Sequence, residues 1–340
     1  MINFRFHIVS LTAVLLSLGI GLVLGTTFLD DATINQLERQ LDGLEHDLDR
    51  SRARNDEQQA RLGAFEDEAE QLEAQLGERL YAGELEDEPV LVVSTRGIDQ
   101  RWVDTVLTSL TQADADVVGV WWLTERNDLD DDSEVGDLAE ALELSTDEPE
   151  RLSRTLAVQL GGVLYGAADV ASTAEQAEVA VDPAQLAPAE PALLARLREH
   201  GFVEYQLAEG AEGDVVRLPV SDLRIVVVDG PDAAVPATQV VLPVLDELTV
   251  DGAMPVVVAQ PTPATGDDVD EAAQPQLVGA IRDDDELGQR VSTVDDLERV
   301  SGRVATLLAT VDAVPGEPTI GRYGTGDGAD RMLPPAAGEG

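Results

Sequence analysis

Three histidines are the residues of this chain best suited to acid–base catalysis or zinc binding, and they lie far apart in the sequence. His7 borders an apolar run, His46 falls in a predicted coiled coil, and His200 precedes a glycine at a predicted helix end. A catalytic triad or a zinc site needs its groups within bonding distance, and none of the three has a partner nearby in the sequence. His200 is explained more simply as a cation at a helix C-terminus. We predict no catalytic residues.

Other reactive side chains are missing altogether. The chain has no cysteine, and its 22 basic residues are all arginine. These absences exclude a thiol nucleophile, an iron–sulfur cluster, a Schiff-base lysine and a Walker A lysine. The predicted first strand-to-helix turn, residues 94–97, also lacks the glycine pattern of a dinucleotide site. No cofactor site is evident from the residues.

Carboxylates are abundant, but their spacing does not define a metal site. The acidic clusters at 128–132, 267–271 and 283–286 lack the EF-hand pattern with its fixed glycine, so we interpret them as solvated loops. The Gly-rich stretch 323–328 is interpreted as a flexible turn. Metal ligands stay unknown at this point. The net charge of −45 excludes nucleic acid as a partner, because phosphate binding needs clustered cations.

The most distinctive element is an apolar run near the N-terminus. Residues 8–28 carry no charge and would span about 31 Å as a helix, close to one hydrocarbon core. Arg5 precedes the run and two aspartates follow it, which favours a cytoplasmic segment 1–7 and an extracytoplasmic remainder. We predict an uncleaved signal-anchor at 8–29, with membrane lipid as its partner. The alternative is a cleaved signal peptide, although no A-x-A pattern follows the run.

Small residues recur every fourth position in this segment. The predicted packing face of the membrane helix consists of Ala13, Ser17, Gly21 and Gly25. Small side chains let two helix backbones approach closely in lipid. The pattern is consistent with dimerisation, although glycine and alanine are common in membrane helices in general.

A heptad repeat follows over residues 30–81. Apolar residues recur at alternating spacings of three and four, and such a sustained 3.5-residue repeat is typical of a supercoil. The predicted interface residues are Ile34, Leu37, Leu41, Leu44, Leu48, Asn55, Leu62, Phe65, Leu72 and Leu76. A buried asparagine at an a position, here Asn55, favours two parallel chains. We expect a homodimer or higher homo-oligomer; the alternative is one amphipathic helix packed on its own domain.

Beyond a linker at 82–88, the pattern changes to short β-branched runs alternating with helical spacing. We predict strands at 90–94, 117–123, 224–228, 255–259 and 277–281, and helices around 103–110 and at 135–144, 151–160, 192–199, 240–248 and 302–311. Residues 167–191 and 262–275 are predicted loops. This alternation predicts a three-layer α/β domain with a mainly parallel sheet at 89–313, followed by a Gly/Pro-rich tail at 314–340.

The sequence also resembles a known family. The opening residues 1–11, the run Gly21–Gly25, the run Val291–Asp296 and the motifs 301–305 and 321–326 are similar to those of the actinobacterial copper transporter family of mycobacterial copper transport protein B, a family of copper-transport outer-membrane or channel proteins. The resemblance implies a role in copper homeostasis or efflux at the cell envelope, and it implies copper as the metal handled. No ligand motif is available to carry over.

The residues themselves give copper little support. Copper(I) prefers thiolate and thioether ligands, whereas this chain has no cysteine and only three methionines. Repeated ten-residue alternating strands, which a membrane β-barrel needs, are also missing. Three hypotheses follow: a copper-transport envelope protein, an envelope scaffold that dimerises through its coil and does not bind copper, and a membrane-tethered α/β enzyme.

Overall fold

The computed structural model describes residues 5–25, 48–61, 63–64, 81–176, 191–207, 218, 223–250, 254–262 and 276–335. By its internal contacts the chain divides into two units, Met1–Glu68 and Ala69–Gly340. What is described of the first unit is helical. The N-terminal apolar helix runs over Arg5–Gly25, and a second helical stretch covers residues 48–61. Side chains in both are exposed almost throughout.

The second unit is an α/β domain built on one seven-stranded sheet. The strands are β1 Pro89–Thr95, β2 Asp116–Leu123, β3 Val203–Leu207, β4 Arg224–Val228, β5 Val256–Ala259, β6 Ser292–Val294 and β7 Arg322–Tyr323. Their order in the sheet is β3-β2-β1-β4-β5-β6-β7. All neighbouring pairs are parallel except β2 with β3. The sheet is therefore mainly parallel, as the alternating pattern predicted.

Helices cover both faces of the sheet. They are α1 Gln100–Gln112, α2 Asp132–Ala141, α3 Pro149–Gln176, α4 Ala192–Glu199, α5 Ala237–Thr249, α6 Leu277–Asp283 and α7 Val300–Asp312, with short 3₁₀ turns at Glu125–Asp128 and Leu287–Gln289. One apolar core lies between the sheet and α2 to α6, and a second lies between the sheet and α1 with α7. The central strands contribute to both cores, which explains their continuous apolar sequence.

The prediction of a strand at residues 277–281 is wrong, because this segment is helix α6. A five-residue apolar run cannot be assigned by periodicity alone. Its buried members, Leu277, Val278 and Ile281, follow helical spacing, and Gly279 between them is exposed. The predicted loop from residue 167 is also corrected in part, since the backbone of α3 continues to Gln176.

The structure also corrects both predicted ends of the domain. In the predicted linker 82–88, Leu85 is fully buried and its N–H donates to the carbonyl of Ala113 at 3.0 Å. In the predicted tail 314–340, strand β7 pairs with β6 and Tyr323 is 2% exposed. Both segments look polar and turn-rich in sequence because their few apolar residues stand singly. The domain therefore includes residues on either side of 89–313.

Candidate functional site

The carboxyl edge of the parallel strands is where an α/β sheet of this type usually binds its ligands. The strand order reverses between β1 and β4, so the connections that follow them leave toward opposite faces. Four polar residues lie at this edge, at or just after the ends of β1, β4, β5 and β6: Thr95, Asp229, Gln260 and Asp295. The pairing register places them side by side, and all four are at most 6% exposed. This buried polar row is the candidate site.

An ion pair between Arg282 and Asp295 lies at one end of the row. Arg282 projects from α6, its Nη1 lies 2.6 Å from the Asp295 carboxylate, and the two side chains are 4% and 6% exposed. The same guanidinium donates through Nε to the hydroxyl of Thr293 at 3.0 Å and through Nη2 to the carbonyl of Tyr323 at 2.8 Å. A buried arginine needs such partners for each edge of its planar group. Arg282 therefore ties α6, β6 and β7 together.

The Asp295 carboxylate also receives two backbone N–H groups from the Gly-rich segment. The amide of Thr325 donates to Oδ1 at 2.8 Å and that of Gly326 at 3.1 Å. Gly324, with φ of +119°, passes so close that a Cβ there would lie 1.8 Å from Oδ1. Only glycine fits this position, because both the backbone conformation and the space exclude a side chain. The stretch interpreted as a flexible turn is thus an ordered loop that binds a carboxylate.

Asp296 holds the same loop from the other side. Its carboxylate accepts hydrogen bonds from the hydroxyls of Thr262 and Thr325. Burial raises the pKa of Asp296, but these two hydroxyls and the charge of Arg299 outweigh it, so the pKa lies below the ordinary value. Asp296 therefore binds the loop as a carboxylate anion.

Asp229 lies in the middle of the row and is 6% exposed. Burial raises the pKa of its carboxyl group, although backbone N–H groups of Gly230 and Leu277 oppose that rise. The neighbouring Gln260 side chain is engaged with Gln276 at 2.6 Å and with the N–H of Val278 at 3.0 Å. Thr95 is 1% exposed, and within the described part of the chain its hydroxyl has no hydrogen-bond partner.

The chemistry open to this arrangement is mainly structural. The carboxylates of Asp295 and Asp296 are occupied by the protein's own N–H, O–H and guanidinium groups. Across the described ranges, no group of three or more His, Asp or Glu side chains is placed to hold a metal ion. Met254 is 2% exposed within a core, and Met332 is 52% exposed near the C-terminal end. These two thioethers do not share the row with Asp295.

The predicted packing face of the membrane helix lies on one side of the helix Arg5–Gly25. A Cβ added at Gly21 or Gly25 would meet no atom of the described part of the chain within 4 Å. The hydroxyl of Ser17 donates to the carbonyl of Val14 at 2.9 Å, so it needs no outside partner. With Ala13 at the next turn, the face is small and smooth. Its packing against a second helix stays a prediction.

Most of the predicted coil interface lies outside the described residues. Two of its members belong to the helical residues 48–61: Leu48 is 53% exposed, and Asn55 is exposed as well. The other predicted interface residues lie outside the described residues: Ile34, Leu37, Leu41, Leu44, Leu62, Phe65, Leu72 and Leu76. The coiled coil and its oligomeric state therefore stay predictions.

The residues of the polar row were not identified as site residues from the sequence. A usable signal was present for Asp295 and Asp296, because two adjacent aspartates directly follow the short run Val291–Val294. Arg282 carried no such signal, since its helix was interpreted as a strand. Gly324 belonged to a stretch interpreted as a flexible turn.

Comparison with known proteins identifies the family. The model of the family described as copper transport outer membrane protein, MctB, matches residues 1–334. The chain belongs to this family. Copper transporter MctB of Mycobacterium bovis is 29% identical over 336 residues, covering 97% of this chain and 98% of the relative, and two strains of Mycobacterium tuberculosis have relatives with the same name, identity and coverage. These MctB relatives are named as transporters and not as enzymes. The match includes the apolar helix, the polar row and the loop 324–328.

Proposed function

We propose that this chain is a membrane-anchored protein of the cell envelope that acts in copper homeostasis or efflux. The observation that carries the proposal is family membership along residues 1–334, from the apolar helix to the end of the α/β domain. The relatives named copper transporter span the same length. In this proposal the chain crosses the membrane once, and the charge of Arg5 keeps the N-terminus inside, so the α/β domain lies outside the cytoplasm.

The apolar helix supports the anchoring part of this proposal. It is 21 residues long, and its most apolar stretch of 18 residues has a mean hydropathy of 2.4 with none of that stretch buried. Signal sequences share these properties. A helix of this length spans about 30 Å, which matches one hydrocarbon core.

The α/β domain contributes to copper handling in this proposal without chelating the metal in its polar row. Copper(I) prefers sulfur ligands, and the row offers carboxylates that already bind arginine, hydroxyls and amides. A copper path would then require several anchor helices side by side, or partner proteins that the domain contacts.

Copper sensitivity of a deletion strain tests the function directly. We expect deletion to lower the tolerated copper concentration and to raise cell-associated copper, and the wild-type chain to restore both. The double substitution Leu15→Arg with Leu18→Arg should fail to restore them, because each charge at the centre of a membrane helix costs about 3 kcal/mol. The matched double alanine variant should restore both. Unchanged copper tolerance after deletion would contradict the proposal.

A second candidate function is an envelope scaffold that dimerises and has no role in copper. The exposed side of residues 48–61 favours it, since Leu48 and Asn55 are available to a second chain. The scarcity of soft ligands favours it as well. Titration of the full chain in detergent with copper(I), against a competing chelator, separates the two candidates when read together with the deletion strain.

Cross-linking tests the dimer that both candidates use. Because the chain has no cysteine, Asn55→Cys introduces one thiol at an a position. In a parallel pair the two thiols face each other, and oxidation should link most of the protein. Ala60→Cys, at the outward f position, is the matched control and should link poorly. Equal linking of both variants would argue against the parallel register.

A further inference from the structure

The C-terminal segment 321–331 is attached to the domain through a short strand pairing and a small set of side chains. Its bonds to β6 include those from the N–H of Thr293 to the carbonyl of Gly321 at 3.0 Å and from the N–H of Asp295 to the carbonyl of Tyr323 at 3.2 Å. The N–H of Gly321 also donates to the Ser292 hydroxyl at 3.3 Å. Strand β7 itself is two residues long. Within the segment, Tyr323 is the one buried side chain, and most residues from Thr325 to Arg331 are exposed.

Most of the other polar attachments described for the segment converge on Arg282, Asp295 and Asp296. Arg282 donates to the carbonyls of Tyr323 at 2.8 Å and Asp327 at 3.0 Å. Asp295 accepts from two amides of the segment, and Asp296 accepts from the hydroxyl of Thr325. Removing the side chain of Arg282 or Asp295 would therefore remove two bonds to the segment at once.

The donors around Asp295 form a complete anion site. Consecutive backbone N–H groups in a glycine-rich turn bind anions, and a guanidinium strengthens such a site. Here the amides of Thr325 and Gly326 and the Nη1 of Arg282 all point at one carboxylate, which belongs to the protein itself. The ligand of this site is thus internal, and its binding coincides with docking of the segment.

Elsewhere the sheet is held more firmly. Strand β1 is seven residues long, pairs on both sides and is buried on both faces. Regions with short pairing and exposed backbone bonds open at lower free energy than such central strands. The edge strand β7 should therefore open at a lower free energy than the central strand β1.

We propose that residues 321–331 open and close as a unit separate from the rest of the domain, with the Asp295 carboxylate as the internal ligand that holds them closed. Opening frees the N–H groups of Thr293 and Asp295 along the edge of β6. The segment thus works as a detachable cover for this edge of the sheet.

Hydrogen exchange of the full chain in detergent micelles, followed by mass spectrometry, tests the proposal. In Asp295→Ala, peptides covering residues 292–295 and 321–326 should exchange about tenfold faster or more, as expected for the loss of a charge-assisted contact. Peptides from β1 and β4 should keep wild-type rates. Added formate should restore slow exchange, because it supplies a carboxylate that fits the vacated space.

Two further variants distinguish the hydrogen bonds of the carboxylate from the packing of its side chain. Gly324→Ala should open the same peptides, since the new Cβ would lie 1.8 Å from Oδ1 of Asp295, and formate should not rescue it. Thr325→Val removes one hydroxyl that bonds Asp296 and should give a smaller acceleration. Asp246→Ala, which removes an exposed ion pair with Arg290, should leave these peptides unchanged.

Three results would overturn the proposal. The first is faster exchange in β1 and β4 together with residues 321–326 in Asp295→Ala and in Thr325→Val, because the segment would then open only with the whole domain. The second is unchanged exchange in Asp295→Ala. The third is acceleration in Asp295→Ala that formate leaves in place, which would show that the carboxylate is not the ligand.

Discussion

The two units of this chain differ in the solvent exposure of their apolar side chains. In the N-terminal unit, the large apolar residues of the helix Arg5–Gly25 are exposed, Leu22 by 70% and Leu18 by 67%. In the α/β unit, residues such as Leu91 and Leu194 are fully buried in one of two cores. The second unit satisfies its apolar surface internally. The described residues of the first unit leave their apolar surface exposed.

Polar groups show the same contrast. The ion pairs of the helical residues 48–61, such as Arg61 with Glu57, are more than 60% exposed on both partners. The pair of Arg282 with Asp295 is almost fully buried. Exposed pairs contribute little to stability, whereas loss of one partner from a buried pair leaves an uncompensated charge. A substitution in the α/β unit should therefore lower the free energy of unfolding far more than an equivalent substitution in the first unit.

The largest expected effect comes from truncating a buried leucine. Leu91→Ala on β1 should lower the free energy of unfolding of the α/β unit by about 3 kcal/mol, because it removes buried surface and leaves a cavity. Urea unfolding followed by tryptophan fluorescence measures this change, since Trp121 and Trp122 lie in the same unit.

The matched change in the other unit is Leu48→Ala, at a side chain that is 53% exposed. It should leave the unfolding of the α/β unit within about 0.5 kcal/mol of wild type. Its effect should appear instead in the concentration dependence of dimer formation, measured by analytical ultracentrifugation in detergent. A large loss of α/β stability in Leu48→Ala would mean that this leucine packs on its own domain.

Sequence patterns predicted the centre of the α/β unit well and its periphery poorly. Strand β4 was predicted at its observed bounds, because the four consecutive β-branched apolar residues after Arg224 leave little ambiguity. Strands β6 and β7 are three and two residues long, too short for any period to show. The polar row could not be predicted, because its contacts form only where α6 and the loop 324–328 fold back onto β6. Such long-range contacts leave no local pattern in the sequence.

Strand β3 shows a different limit. Its sequence, Val203 to Leu207, alternates apolar and polar residues, which is the ordinary pattern of an edge strand. Its alternation is hard to recognise in the sequence, because the strand directly follows helix α4 and precedes a polar stretch. Its antiparallel pairing with β2 could not be read from the alternation, since a period of two fixes which residues share a face and not the direction of the neighbour.

The next largest difference between the two units is expected when a glycine of each is substituted. In Gly302→Ala on α7, the added Cβ would lie 2.1 Å from the carbonyl oxygen of Asp296, so the backbone must shift. We expect a loss of about 1–3 kcal/mol in the unfolding free energy, as for overpacked cores. A Cβ added at Gly21 would meet no atom of the described residues within 4 Å, so Gly21→Ile in the apolar helix should leave α/β unfolding unchanged.

The same Gly21→Ile substitution also tests association in lipid. If the small-residue face packs against a second copy, the bulky side chain should lower energy transfer between labelled chains in vesicles. Leu22→Ile, one position away from that face, is the control and should leave the transfer unchanged. Equal energy transfer in all three proteins would remove this face from the proposed dimer.

A pH-dependent effect of moderate size is expected at Asp296. Its folded-state pKa lies below the ordinary value of 3.8, so its contribution to stability is present above that pH and is lost as the pH falls through the folded-state pKa. Asp296→Asn keeps a residue that tolerates the φ of +63°. The variant should be less stable than wild type at neutral pH, and the gap should close below pH 3.8. Glu57→Gln in the exposed helix should show no such gap in α/β unfolding.

The smallest effect is expected at Asp229, where the sign is opposite. Burial raises the folded-state pKa above 3.8, so the unfolded chain loses its proton first as the pH rises. Wild-type stability should therefore fall relative to Asp229→Asn as the pH rises from 3.8 toward the folded-state pKa, and the difference should stay constant above it. Urea unfolding at a series of pH values measures this trend. A stability difference that is flat across the whole series would mean that Asp229 ionises as easily in the folded chain as in the unfolded one, and that this part of the polar row is wet. The exposed Asp49→Asn provides the baseline, because its carboxylate is 73% exposed and the α/β unit should not register its loss.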